Sequence, residues 1–257
     1  VLGISPFVVG VILSANSFTR LTVNTPVGRF IDQRCTRLPA IFGVALCALG
    51  SFCYIVALYA ELVPLFGATE IVIASRVVWG LGSALVYIGA FSTIIHITSE
   101  STRGKWVGYF RGGQALGFPS GLILGGIITD LFGYAAAFGL SGVAGIVGTV
   151  IGIMVFPPVS GEVAEPISLR RVPRVALRDR RIVVICIVNF TVRLTFAGIL
   201  LSTIVLYLKS YNIGVGSFSA VGAGGLFLGL SAVWSSLSIF VSGNLSDHVE
   251  NRAIIAV

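Results

Sequence analysis

The sequence predicts an all-α integral membrane protein, and three observations carry that prediction. Of the 257 residues, 56% are hydrophobic before the 32 glycines are counted and only 11% are charged, and the mean hydropathy is +1.00. A soluble domain carries about 25% charged residues, so this chain lacks the polar surface to cover a water-soluble globule. Its apolar residues run in stretches of about 20 or more, the length of a bilayer-spanning helix. They do not form the alternating ten-residue segments of a membrane barrel. The charges fall mainly in the gaps between stretches. Disorder, a disulfide-rich secreted scaffold and an ordinary soluble enzyme are excluded on composition.

Seven stretches qualify as spans. The first, 6–27, carries Asn16, Arg20 and Asn24 at intervals of four, which stacks them as a polar stripe on one helix face. The second, 39–59, holds Cys47 and Cys53, read with Cys35 and Cys186 as small hydrophobes because no CxxC or Cys/His pattern is present. The third, 71–96, contains Arg76 near its start and His96 at its end. In the fourth, 106–129, Gly113, Gly117, Gly121 and Gly125 recur every four residues around Pro119, a spacing that permits close helix packing. The fifth is 134–156. A basic, proline-containing segment, 157–181, separates it from the sixth, 182–208, in which Asn189 and Arg193 lie four apart. The seventh is 220–241. This organisation reads as a first half-bundle over 1–156, a linker over 157–181, and the start of a second half-bundle over 182–257. The chain opens without Met and closes on the apolar run Ile254-Ile255-Ala256-Val257, so truncation at both ends is expected.

Orientation follows from the basic residues. One side collects Arg29, Arg34, Arg37, Arg103, Lys105, the six arginines of the linker and Arg252, while the other holds only Lys209. The positive-inside rule makes the linker side cytoplasmic in a multi-pass protein of the cell membrane. The net charge of +7 is therefore a topology signal rather than a nucleic-acid footprint.

An internal repeat bears most on function. Gly28-Arg29-Phe30-Ile31-Asp32 is followed by Arg37, and Gly243-Asn244-Leu245-Ser246-Asp247 by Arg252, each at the linker-side exit of a span. Two homologous halves in the same orientation follow, related by an axis along the membrane normal. With these loops the chain resembles the major facilitator superfamily, whose signature has the form G-x-L-x-D-R-x-G-R-R. Gly28, Asp32 and Arg37 match it, Arg34 supplies a displaced charge, and Gly243, Asp247 and Arg252 form the weaker echo. Arg76 through Gly80 to Gly82 resembles the family's R-x-x-x-G-x-G pattern. The glycines around Pro119 are similar to its antiporter pattern, although Phe118 separates Gly117 from Pro119. The resemblance implies a helical bundle of that type, truncated to about helices two to eight of twelve. It also implies a gate latch at the two loops, and packing roles for Gly80, Gly113, Gly117, Pro119, Gly121 and Gly125.

Arg20, Arg76 and Arg193 lie within spans, where an arginine costs roughly 2.5–3.5 kcal/mol on insertion scales and so faces a cavity or a partner. Asn189 belongs with Arg193. Two roles fit the arginines: contact with a substrate or coupling group, and structural pairing between helices. No carboxylate is plainly buried, and Glu70 lies at an interface. The expected function is secondary transport of small molecules by alternating access, as proton-coupled efflux of organic compounds or as uptake or exchange of an anionic metabolite. No cofactor, metal or catalytic residue is expected, only an ion gradient, a small-molecule substrate and the bilayer, with a monomer as the working unit. A seven-helix receptor does not explain the repeat, and a retinal protein lacks its lysine, since Lys105 and Lys209 both sit in loops. An enzyme lacks any catalytic set or phosphate-binding loop.

Overall fold

The computed structural model describes residues 6–33, 36–59, 67–157, 180–211, 213, 216 and 218–246. The described elements are helices throughout: α1 (Pro6–Gln33), α2 (Arg37–Leu58), α3 (Ala68–Ile97), α4 (Glu100–Val155), α5 (Arg180–Arg193), a π-helical segment (Leu194–Leu200), α6 (Leu201–Ser210) and α7 (Ala220–Ser246). The all-α membrane class read from the sequence is the class observed.

Two departures from simple spans are informative. The 56-residue α4 is really two limbs, because Gly133 interrupts it at φ 85° and ψ 171°, a conformation open to glycine and resisted by residues with a Cβ. The break falls in the gap between the fourth and fifth spans. The sixth span is one continuous run of helix that widens to π geometry over Leu194–Leu200, immediately after Arg193. Among the described residues, α2, α3 and α4 have the length and apolarity to cross a membrane. The 28-residue α1 has the length, but Asn16, Arg20 and Asn24 dilute its apolar character.

The chain forms two compact units: Val1–Arg103 with Phe138–Leu206, and Gly104–Ala137 with Tyr207–Val257. In the first, α2 is flanked by two antiparallel neighbours. Against α3, a Cβ at Gly89 would lie 2.9 Å from Ala40 Cβ, one at Gly82 would lie 2.6 Å from the Gly43 carbonyl, and one at Gly50 would lie 3.1 Å from the Ser75 carbonyl. Against the second limb of α4, Gly152 faces Ile41, Gly145 faces Ala48 and Gly142 faces Phe52, while Tyr54 stacks on Phe138. Small residues thus line the seams and large ones point away: Phe42, Leu49 and Val56 of α2 are exposed, whereas Ala40, Ala48 and Ala57 are buried. In a bilayer the lipid tails are as apolar as leucine, so helices associate by close packing of small residues instead of by burying large ones. Hydroxyls on these helices donate to carbonyls one turn back, as Ser75 does to Ile71 and Thr93 to Gly89, which satisfies them without water.

In the second unit the first limb of α4 runs antiparallel to α7. A Cβ at Gly225 would come within 2.7 Å of the Leu122 carbonyl, one at Gly126 within 3.1 Å of Gly225 Cα, and one at Gly229 within 3.1 Å of the Pro119 carbonyl.

Candidate functional site

The polar stripe of α1 lies along α3, which it accompanies in parallel. Gly80 makes this possible, because a Cβ there would stand 3.0 Å from the carbonyl oxygen and Oδ1 of Asn16 and from Thr19 Cβ. One turn beyond Asn16, half-buried Arg20 places its Cζ 5.9 Å from the ring centroid of Tyr87 on α3. One turn before Gly80, half-buried Arg76 places its Cζ 5.4 Å from the ring centroid of Tyr54 on α2. Tyr54 in turn stacks on Phe138 with centroids 4.8 Å apart at 28°. A guanidinium over an aromatic face gains about 0.5–2 kcal/mol, the upper end when desolvated.

The two arginines occupy different levels. Tyr87 stands about three turns beyond Arg76 on α3, roughly 16 Å along the axis at 1.5 Å per residue, so the structure does not gather Arg20 and Arg76 into one cluster. Asn16 Oδ1, Arg20 Nε, Tyr54 OH and Arg76 Nε are buried without a hydrogen-bond partner, and among the described residues neither arginine has a carboxylate partner. Leaving such a group unsatisfied costs about 1–3 kcal/mol. Each of these atoms has hydrogen-bonding capacity left unused among the described residues.

The remaining candidates are dispersed. Arg37 Nη2 donates to the Ile153 carbonyl at 2.7 Å, in the last turn of α4, where a cation suits the exposed carbonyls. A Cβ at Gly28 would meet nothing within 4 Å, and the same holds at Gly113, Gly117, Gly121 and Gly125; Pro119 is buried. Asn189 and Asn24 are exposed, as is Glu70 in the first turn of α3. His96 Nδ1 lies 2.7 Å from the Ser92 carbonyl, a local bond that occupies that nitrogen as a donor. Arg34, Asp247, Arg252 and linker residues 158–179 lie outside the described residues, as do the side chains of Asp32, Arg193 and Gly243's surroundings. The candidate latch is therefore described only at Gly28 and Arg37.

Comparison with known proteins decides the family. The sequence model of the Major Facilitator Superfamily matches residues 1–257. The chain belongs to the Major Facilitator Superfamily. It is a multi-pass membrane protein, as its composition and apolar stretches implied. An uncharacterized MFS-type transporter of Methanocaldococcus jannaschii is 26% identical over 99% of this chain and 63% of its own length. Multidrug resistance protein 1 of Bacillus subtilis is 27% identical over 54% of this chain and 35% of its own. An uncharacterized MFS-type transporter of Schizosaccharomyces pombe is 22% identical over 70% and 39%. The chain thus spans less than two thirds of the relatives it matches.

In this superfamily member the structure adds residues that sequence reading passed over. Tyr54 and Tyr87 face the arginines and Phe138 backs Tyr54, but an aromatic residue in an apolar span has no pattern that announces such a partner. The glycines facing α2, Gly142, Gly145, Gly148 and Gly152, stand three or four apart; that spacing was legible. Asp130, whose carboxylate accepts from the Ser219 N–H, sits just beyond the end of the fourth span, where sequence alone does not distinguish it from a solvated loop residue.

Proposed function

We propose that the full-length protein is a secondary active transporter that works by alternating access and exports small organic compounds in exchange for protons moving down their gradient. It is read as a transporter rather than an enzyme, a monomer in the cell membrane, with the linker 157–181 on the cytoplasmic side and an ion gradient in place of any cofactor. The observation that carries this reading is the set of unpartnered polar atoms of Arg20, Arg76, Asn16 and Tyr54, held half-buried or buried within a helical bundle of a transporter family. Such atoms are costly as pure structure and useful as contacts that exchange between solute, water and protein. The likeness to multidrug resistance protein 1 of Bacillus subtilis supports export of organic compounds.

A second reading, uptake or exchange of an anionic metabolite, is favoured by the positive potential of two arginines that have no carboxylate partner among the described residues. Transport by the full-length protein in proteoliposomes separates the two. Efflux of lipophilic cationic dyes driven by an imposed pH gradient supports the first. Saturable exchange of organic anions at zero pH gradient supports the second. Flux no faster than protein-free liposomes for both panels refutes both.

A further inference from the structure

We propose that Asp130 and Ser219 form a latch that holds the protein closed on the face opposite the linker, an inference that rests on the alternating-access reading above. The span order read from the sequence assigns both residues to that face: the fourth span, 106–129, leaves the linker side and ends just before Asp130, and the sixth, 182–208, leaves it again and ends before the segment that carries Ser219.

The bonds are specific. Asp130 Oδ2 accepts from the Ser219 backbone N–H at 2.7 Å, and Oδ1 accepts from the Ser219 hydroxyl. The hydroxyl oxygen also accepts from the Val221 N–H at 3.2 Å, which a hydroxyl can do while donating. A carboxylate on α4 thereby serves the first turn of α7, where N–H groups are unpaired and negative charge is favoured. Bonds to an ionised acceptor are roughly twice as strong as neutral ones. Gly222 leaves the space that the carboxylate occupies, since a Cβ there would strike Oδ2.

Below this polar pair runs the seam of Gly222, Gly225 and Gly229 of α7 against Gly126, Ile123 and Pro119 of α4. Apart from the Ile123 side chain against Gly229 and the Asp130 carboxylate at Gly222, backbone meets backbone along it, which leaves little side chain to fill a gap when the helices part. On the half-bundle reading of the sequence, α4 belongs to the half 1–156 and α7 to the half 182–257, the bodies that rock in alternating access. Opening this face must break the Asp130–Ser219 bonds and unzip the seam beneath them. The polar pair sets the cost of the first step.

The test uses the full-length protein with every cysteine, Cys35, Cys47, Cys53 and Cys186 among them, replaced by Ser and one reporter cysteine added. Ile123→Cys reports the seam, because the Ile123 side chain lies against Gly229. Gly112→Cys reports the linker end of the same limb, about three turns earlier and on the same helix face. Labelling by an impermeant maleimide is timed in right-side-out and inside-out vesicles. Asp130→Ala is expected to speed labelling of Ile123→Cys from the face opposite the linker about tenfold, and to slow labelling of Gly112→Cys from the linker face. Ser219→Ala, which keeps the backbone donor, should act in the same direction by a smaller factor and serves if Asp130→Ala is poorly produced. An unchanged Ile123→Cys rate in these variants overturns the latch, and so does a rise at both reporters together, which signals loosening instead of a shifted gate. If substrate fails to move the two reporters reciprocally even with Asp130 present, alternating access falls and takes the latch with it.

Discussion

The seam between α2 and the second limb of α4 offers a quantitative test of how this bundle is held together. A Cβ at Gly145 would sit 2.7 Å from Ala48 Cβ and 3.0 Å from Ala48 Cα, whereas one at Gly139 would meet only Ile55 Cδ1, at 3.8 Å. Ordinary contact begins at 3.4 Å, so Gly145→Ala must part the helices by about 0.7 Å at that point. The obstructing atoms are a methyl and its own backbone, and neither can swing aside. Overpacking of this kind costs about 1–3 kcal/mol. Both substitutions gain the same helix preference, about 0.5–1 kcal/mol, so the difference between them isolates the clash. At roughly 2–4 °C per kcal/mol for a chain of this size, Gly145→Ala should melt about 2–12 °C below Gly139→Ala in detergent. Adding Ala48→Gly to Gly145→Ala transfers the methyl from one helix to the other and should recover part of the loss, a coupling of about 0.5–3 kcal/mol. A Gly145→Ala protein that melts at or above Gly139→Ala, with no coupling to Ala48→Gly, would refute this seam.

Three further outcomes are expected of the full-length protein. Arg76→Ala should abolish transport and Arg76→Lys keep only part of it, with Tyr54→Leu lowering kcat/KM about 2- to 30-fold through loss of the ring beneath the guanidinium; wild-type rates in all three would leave Arg76 structural. Asp32→Asn should cut transport strongly at near-normal expression and Asp247→Asn less so, which a transport assay on matched membrane protein will decide. In intact cells, single cysteines within 158–179 should resist impermeant thiol reagents while one at Tyr211 reacts, and the reverse pattern would invert the proposed orientation.

How much of this was legible in the sequence depended on whether a property is local or relational. The helical class, the gap at Gly133 and the position of Arg20, Arg76 and Gly80 within helices follow from hydropathy and backbone freedom, which act along the chain. The partners of those residues do not. Arg76 meets Tyr54 on α2 and Arg20 meets Tyr87 on α3, pairings fixed by how two helices cross. The sixth span shows the same divide: its extent was readable from hydropathy, while the π geometry after Arg193 was not.

The glycines of the fourth span carry the point further. Gly113, Gly117, Gly121 and Gly125 repeat every four residues, but a helix turns every 3.6. Each step therefore drifts about 40°, and over the three steps the series winds about 120° around the limb. A straight seam between helices instead follows steps of three and four combined. Pro119, Ile123 and Gly126 keep that rhythm, and they are the positions found against Gly229 and Gly225. Asp130 continues it by a step of four, which brings its carboxylate over the first turn of α7. The same geometry that selects Gly126 over Gly125 for the seam thus places an ionisable residue at its end, where its bonds to Ser219 have the longest lever on the separation of α4 and α7.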